Sequence, residues 1–203
     1  MRECLLSISM YTEGFASQFP FMGVAGRPDL GVQEFNDLEP PGLGLSFNAA
    51  YFAAHAFHWP TAIARAGFEV ERIADPDLED REALAARYGK PGLLGSAYFL
   101  THTVVAAPSY WLPGPVPEPT PGTFRPMRTH QVRFPSAKGL LLAMGLGMYD
   151  DTDEEELAWI LVGMADHSVS QREAPFGSLA DRPFGAMPFP VLTTEGGLDG
   201  RDF

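Results

Sequence analysis

The sequence contains a single cysteine, Cys4, among its 203 residues. An internal disulfide is therefore impossible, and a lone cysteine among apolar neighbours is most simply a small buried hydrophobe. A cytosolic protein and an exported protein that does without disulfides are both compatible with this.

Long apolar runs and clustered positive charge are also missing. No stretch has the ~18 or more consecutive apolar residues of a transmembrane helix, and no charged segment followed by an apolar one indicates a signal peptide. Asp and Glu (26) outnumber Lys and Arg (14), which gives a net charge of −12 and a pI near 4.7. This negative field disfavours nucleic acids and anionic lipid headgroups as partners.

The composition is that of a folded globular protein, with 45% hydrophobic and 20% charged residues. The length suits a single domain over residues 1–203, and the 21 glycines and 19 prolines predict many loops and turns. We divide this domain into an N-terminal helix (1–19), a helical and loop-rich region (20–135) and a sheet region with a tail (136–203).

The first residues predict an amphipathic helix that ends between residues 14 and 20. Its apolar residues recur at helical spacing, and we assign them to the core face as the assembly helix. No capping residue precedes the pattern, which is already established at Arg2, so we expect an apolar half to precede this helix in the natural protein. The core-face residues are Cys4, Ile8, Tyr11 and Phe15.

Two further helices are predicted in the middle region. One begins near Ser46 or Asn48 and is broken by Pro60, after which a short new helix runs to a stop at Gly67. The other covers residues 75–88, where an aspartate cap, a proline at the first helical position and acidic residues in the first turn coincide.

Two segments are predicted to be loops. Residues 23–45 are interrupted by prolines and glycines, and residues 113–121 carry a proline at every second position. Such alternation forces an extended chain without a ladder of hydrogen-bond donors. The second segment is therefore a surface excursion or, alternatively, a docking motif for a proline-binding partner.

The last third predicts an antiparallel sheet. Residues 93–107 are apolar and aromatic and form either a strand or a buried turn. Asp166 and His167 separate two apolar-alternating runs, which is typical of a hairpin. The predicted strands are 138–148, 159–165, 168–173 and, at the edge, 191–194.

Histidines are the most obvious candidates for chemistry. His55 and His58 share one face of a helix, and with His102 they could ligate zinc as a metal-dependent enzyme would require. Neither the glutamate of a His-Glu-x-x-His motif nor a nucleophile elbow is present, and the Gly-x-Gly pairs lack the context of a phosphate cradle. The alternative, which we favour, is a set of core histidines in a protein that is not an enzyme.

An acidic cluster is the second candidate site. It spans residues 150–156 and contains six carboxylates, which suit calcium, although the spacing is not that of an EF-hand. A solvated turn is the alternative. The tail carboxylates Asp199 and Asp202 are a fainter source of oxygen ligands. The candidate calcium ligands are Asp150, Asp151, Asp153 and Glu155.

Three segments resemble bacterial prepilin-like proteins. Residues 4–11 followed by Phe19 and Pro20 resemble the segment just after the membrane helix, and residues 134–142 resemble the "P-S-x-K" entry to a core strand. Residues 162–169 resemble the hairpin of those proteins, with His167 in place of their turn glycine.

The resemblance implies an α+β, pilin-like fold in which an N-terminal helix packs on an antiparallel sheet with long Pro/Gly-rich loops. It implies a structural subunit of a type IV pilus-like or type II secretion filament, exported to the cell envelope. Its partners would be further copies or other pilin-like subunits, and it would meet the membrane only through an N-terminal helix absent from this chain. Calcium is the one cofactor implied. The alternative is a soluble binding or adaptor module without filament assembly, which uses exposed aromatics around Tyr110 and Trp111 and the proline-rich loop. A fully buried Trp111 would contradict this alternative.

Overall fold

The architecture is α+β, with an N-terminal helix, a second helix and a four-stranded antiparallel sheet. The computed structural model describes residues 1–22, 47–70, 93–96, 98–114, 122–143, 159–173, 194 and 197–202. The main elements are α1 (Arg2–Gly14), α2 (Phe47–Arg65), β1 (Tyr98–Leu100), β2 (Gly139–Ala143), β3 (Trp159–Met164) and β4 (Val169–Glu173). Five 3-10 turns lie at His102–Val104, Pro108–Trp111, Thr129–Gln131, Pro135–Ala137 and Gly197–Asp199.

Helix α1 confirms the predicted amphipathic helix. It begins directly after Met1 without a side-chain cap, and Cys4, Ile8 and Tyr11 are buried as predicted. Phe15 was assigned wrongly to the core: it lies just beyond the helix and is 39% exposed. The helical spacing stops applying where the helix ends, and Phe15 instead stacks on Tyr11 with ring centroids 4.5 Å apart.

Helix α2 runs through Pro60, so the predicted break at this proline is wrong. Proline removes one backbone hydrogen bond from a helix, but residues 55–63 of α2 are all buried, and their packing offsets that loss. The predicted stop at Gly67 is confirmed. Gly67 has a φ of +86°, and its N–H donates to the Ala64 carbonyl (2.9 Å) while Phe68 N–H donates to that of Ile63 (3.3 Å), as in a Schellman cap.

The sheet has the order β1-β2-β3-β4, and every neighbouring pair is antiparallel. Leu140, Leu141 and Leu142 of β2 are all buried, so both faces of this central strand are covered. Gly163 on β3 allows α1 to approach, because a Cβ there would lie 3.1 Å from Leu5 Cδ1. Helix α1 therefore packs directly on the sheet.

The hairpin around Asp166 and His167 is confirmed, with a longer turn than predicted. Met164 accepts a hydrogen bond from His167 N–H (3.0 Å) and donates one to the Ser168 carbonyl (2.8 Å), which leaves three residues in the turn. Such loops need a left-handed residue at their third position, and His167 has a φ of +67°. Hydrogen bonds from the Ser168 side chain hold the pKa of Asp166 below its ordinary value.

Replacing His167 with glycine is expected to stabilise the protein by about 0.5–1 kcal/mol, because the left-handed conformation costs a side chain more than glycine loses in chain entropy. Replacing it with valine is expected to destabilise by about 1–2 kcal/mol, since a branched side chain tolerates positive φ least. Urea denaturation of both variants measures this. Equal stability of the glycine and valine variants would contradict it.

Several predicted segments lie outside the described residues. They are the loop at 23–45, the helix at 75–88, most of the proline-rich connector, the acidic cluster, the second half of the strand at 138–148 and most of the edge strand at 191–194. Residues 93–107, left open between strand and turn, contain both β1 and a 3-10 turn.

Candidate functional site

Two segments that are distant in sequence, residues 134–142 and 162–169, meet at one corner of the sheet. Ala165 N–H donates to the Lys138 carbonyl (2.8 Å), and Asp166 N–H donates to the Pro135 carbonyl (3.2 Å). The turn of the β3–β4 hairpin is thus hydrogen-bonded to residues 135–138, which directly precede β2. Helix α1 packs on β3 at Gly163, next to the same hairpin.

A buried ion pair lies at this corner. Lys138 is fully buried and Asp202 is 3% exposed, and the Lys138 Nζ lies 3.2 Å from Asp202 Oδ2 and 3.4 Å from Oδ1. Lys138 also donates to Thr194 Oγ1, whose hydroxyl donates in turn to Asp202 Oδ1. Gly139 N–H completes the group by donating to Asp202 Oδ2 at 2.8 Å.

The ion pair holds the C-terminal segment, which we define as residues 197–202, at the start of β2. Burial lowers the pKa of the Lys138 amine, and the neighbouring Asp202 charge opposes that shift. Asp202 N–H donates to the Ala137 carbonyl (2.9 Å) on the other side. Burying two charges is favourable only when both are paired and hydrogen-bonded, as they are here. The ion pair therefore links Lys138 and Asp202, which are 64 positions apart in the sequence.

The rest of the C-terminal segment covers the aromatic core. Gly197 has a φ of +58°, and a Cβ there would lie 2.4 Å from Trp111 Cδ1, so the backbone passes directly over the indole. Leu198 is buried, and its carbonyl accepts from Arg133 N–H at 3.2 Å. The segment joins the corner of the sheet to the core beneath Trp111.

The three histidines lie in the core. His58 Nδ1 lies 3.1 Å from the Leu94 carbonyl, so this nitrogen carries the proton and donates. His55 packs beside Phe21, with ring centroids 5.1 Å apart, and His102 packs beside Phe52 at 5.3 Å. Among the described residues, no three His, Cys, Asp or Glu side chains form a group that could hold a metal ion.

Acid is expected to destabilise the fold through His102. Burial, and secondarily the His55 charge, lowers its pKa to about 3. The unfolded chain binds this proton below a pH of about 6.5 while the folded chain does not, so stability is complete above pH 6.5 and falls by up to about 1.4 kcal/mol per pH unit below it.

Replacing His102 with glutamine is expected to flatten that slope between pH 6.5 and 4.5, measured as the free energy of unfolding in urea. The matched control is His130→Gln, because His130 is exposed. Carboxylates also lower stability in acid, so the informative quantity is the difference between each variant and the parent. Equal slopes for His102→Gln and the parent would contradict the assignment.

The aromatic surface proposed for an adaptor is absent at the predicted residues. Tyr110 is 2% exposed and Trp111 is fully buried. The two rings pack edge to face, with centroids 5.0 Å apart, and the Trp111 indole N–H donates to the Ala106 carbonyl at 3.4 Å. The prediction of an exposed binding surface at these residues is therefore wrong, because the 3-10 turn at Pro108–Trp111 directs them inward.

The candidate calcium ligands, Asp150, Asp151, Asp153 and Glu155, lie outside the described residues. The Lys138–Thr194–Asp202 group was not predicted, although Asp202 was noted as an oxygen source. One signal pointed to it: Lys138 is one of only two lysines and directly precedes an apolar run.

No family model, no curated protein and no solved structure matches the chain. Within the described part of the chain, neither helix has the length and apolar character needed to cross a bilayer.

Proposed function

We propose that the protein is a structural subunit of the pilin or pseudopilin type, a folded head that forms or caps an extracellular or periplasmic filament. The observation that carries this proposal is the packing of α1 on an antiparallel sheet next to the contact between residues 135–138 and the β3–β4 turn. Three segments that resemble the same family, distant in sequence, are thus neighbours in space.

The outer face of α1 supports the same proposal. Leu6 is 59% exposed and Met10 is 49% exposed, and they lie one helical turn apart. Large apolar side chains at this exposure are natural contacts for a neighbouring subunit. In a filament of this type, subunits associate through their N-terminal helices and perform no covalent chemistry.

The mature N-terminus of the protein from its native cells tests the proposal. Intact mass and terminal peptide sequencing are expected to find an apolar segment of about 20 residues ahead of the present sequence, long enough for a membrane helix. A processed and methylated first residue would support a pilin. A chain that begins at Met1 would contradict the proposal.

Cross-linking in native cells provides a second test. In a Cys4→Ala background, the Leu6→Cys variant, which has one thiol per chain, is expected to give covalent dimers with a bis-maleimide reagent. The matched control is Leu112→Cys, because Leu112 is 50% exposed but lies far from α1 in sequence. Dimers from neither variant, or equally from both, would contradict a specific α1 interface.

Calcium bound by the acidic cluster stays a prediction, tested by an increase in melting temperature with calcium that EDTA reverses. The adaptor alternative, which required exposed aromatics at Tyr110 and Trp111, fails because Trp111 is fully buried.

A further inference from the structure

Two arginines flank one aromatic ring on the surface of this acidic protein. The Arg201 guanidinium carbon lies 4.0 Å from the centroid of the Phe134 ring, and that of Arg133 lies 5.3 Å from it. Both arginines are exposed. The hydrogen bond from Arg133 N–H to the Leu198 carbonyl (3.2 Å) holds their two segments together. We call these three residues the Arg133–Arg201 patch.

The chemistry of the patch suits carboxylates. A guanidinium stacked on a ring keeps its in-plane N–H groups available, and those donors match a carboxylate bidentately. Stacking also restricts each side chain, so less conformational entropy is lost on binding. Among the described residues, no ion pair joins either arginine to an acid; the ion pair found there is that of Lys138 with Asp202.

The chain itself supplies a matching partner segment. Residues 150–156 contain six carboxylates, and no lysine or arginine occurs between residues 139 and 171. This is the densest acidic run in a molecule of net charge −12, whereas the patch concentrates two positive charges at one ring. Opposite fields of this kind attract and orient protein surfaces.

We infer that the Arg133–Arg201 patch of one copy binds the acidic segment 150–156 of a second copy. The patch and the acidic segment differ, so the contact is head-to-tail, and its repetition from copy to copy gives an open polymer when the rotation does not close a ring. This inference rests on the proposed function for its filament role, and it specifies the contact between the folded heads.

Two variants isolate the contact. In the first, Arg133→Glu and Arg201→Glu remove the basic surface; in the second, the six acids of residues 150–156 become Asn or Gln. Neither variant is expected to self-associate, whereas the parent chain is expected to form concentration-dependent oligomers in sedimentation velocity, with EDTA present throughout. An equimolar mixture of the two variants is expected to give a discrete 1:1 complex, because the acidic segment of the first variant then meets the intact patch of the second.

The controls separate this contact from general charge effects. Arg65→Glu with Arg128→Glu changes the net charge equally at exposed arginines outside α1 and is expected to leave association intact. Raising NaCl from about 50 to 500 mM is expected to weaken association by about tenfold or more, since screening shortens the range of the charges. Far-UV circular dichroism verifies that every variant is folded.

Two outcomes would overturn the inference. One is a parent chain that stays monomeric at about 0.5 mM in low salt, as an acidic segment bound to the patch of its own chain would give. The other is a mixture of the two variants that fails to form the complex. The N-terminus measurement is independent of both. A chain with an upstream apolar helix and no head-to-tail contact would leave the filament proposal intact while removing this contact.

Discussion

Replacing Lys138 with methionine is expected to lower the free energy of unfolding by about 3–5 kcal/mol, which is the usual cost of removing one partner from a buried ion pair. The carboxylate of Asp202 would remain 3% exposed without a counter-charge. It would keep its hydrogen bonds from Gly139 N–H and the Thr194 hydroxyl, which compensate only part of the lost interaction. The measurement is the urea midpoint at pH 7, converted with the parent slope.

Two further variants show whether charge is the cause. The double variant Lys138→Met with Asp202→Leu is expected to be more stable than Lys138→Met alone, because it removes the stranded carboxylate. Arg201→Met serves as the control, since it removes an exposed charge beside Asp202 and is expected to cost about 1 kcal/mol or less. A double variant less stable than Lys138→Met would contradict this, because it would show that the hydrogen bonds from Gly139 N–H and Thr194 to Asp202 outweigh the cost of its unpaired charge.

The Lys138→Met variant is expected to release residues 197–202 from the sheet before the whole protein unfolds. The amides of Asp202 and Arg133 donate to Ala137 and Leu198, so both hydrogen bonds depend on the position of this segment. Hydrogen exchange is expected to be faster at both amides in Lys138→Met and unchanged in β3. Unchanged exchange at Asp202 would show that the segment is held by packing of Leu198 and Gly197 alone.

Local patterns in the sequence predict the elements whose geometry depends on near neighbours. The i, i+4 spacing places Cys4 and Ile8 on the buried face of α1, and the alternation around Asp166 and His167 places a hairpin there. Both patterns reflect a side-chain period that any half-buried helix or strand must have. The turn length was missed, because alternation does not reveal which residue adopts positive φ.

Contacts between distant residues could not be predicted in this way. Pro60 ends an isolated helix, but α2 is enclosed by the core and continues through it. Trp111 looks like a surface aromatic in its proline-rich context, yet the Gly197 backbone covers it. The Lys138–Asp202 pair joins the first residues of the sheet region to the C-terminal segment, and no periodicity links positions that far apart.

Replacing Phe52 with alanine is expected to destabilise the protein by about 3–5 kcal/mol, the range for truncating a large buried aromatic. Phe52 is fully buried at the centre of a cluster of aromatic rings. Its centroid lies 5.3 Å from that of His102, 5.5 Å from Tyr110, 5.4 Å from Trp111 and 5.6 Å from Phe124. Because these four rings come from three separate segments of the chain, the cavity cannot be closed by moving one of them.

Replacing Phe52 with leucine separates the volume of the ring from its aromatic contacts. This variant fills most of the cavity, so it is expected to lose only about 1–2 kcal/mol, from the missing ring interactions and imperfect packing. Phe15→Ala is the control, since that ring is 39% exposed and is expected to cost less than Phe52→Ala. Urea denaturation followed by tryptophan fluorescence measures the free energy of unfolding of each variant, with Trp111 as a probe next to Phe52. Near-UV circular dichroism detects any loss of fixed aromatic packing. Equal losses of unfolding free energy for Phe15→Ala and Phe52→Ala would contradict a central role for Phe52. The leucines of β2 would then be the main source of core stability beneath α1 and the C-terminal segment.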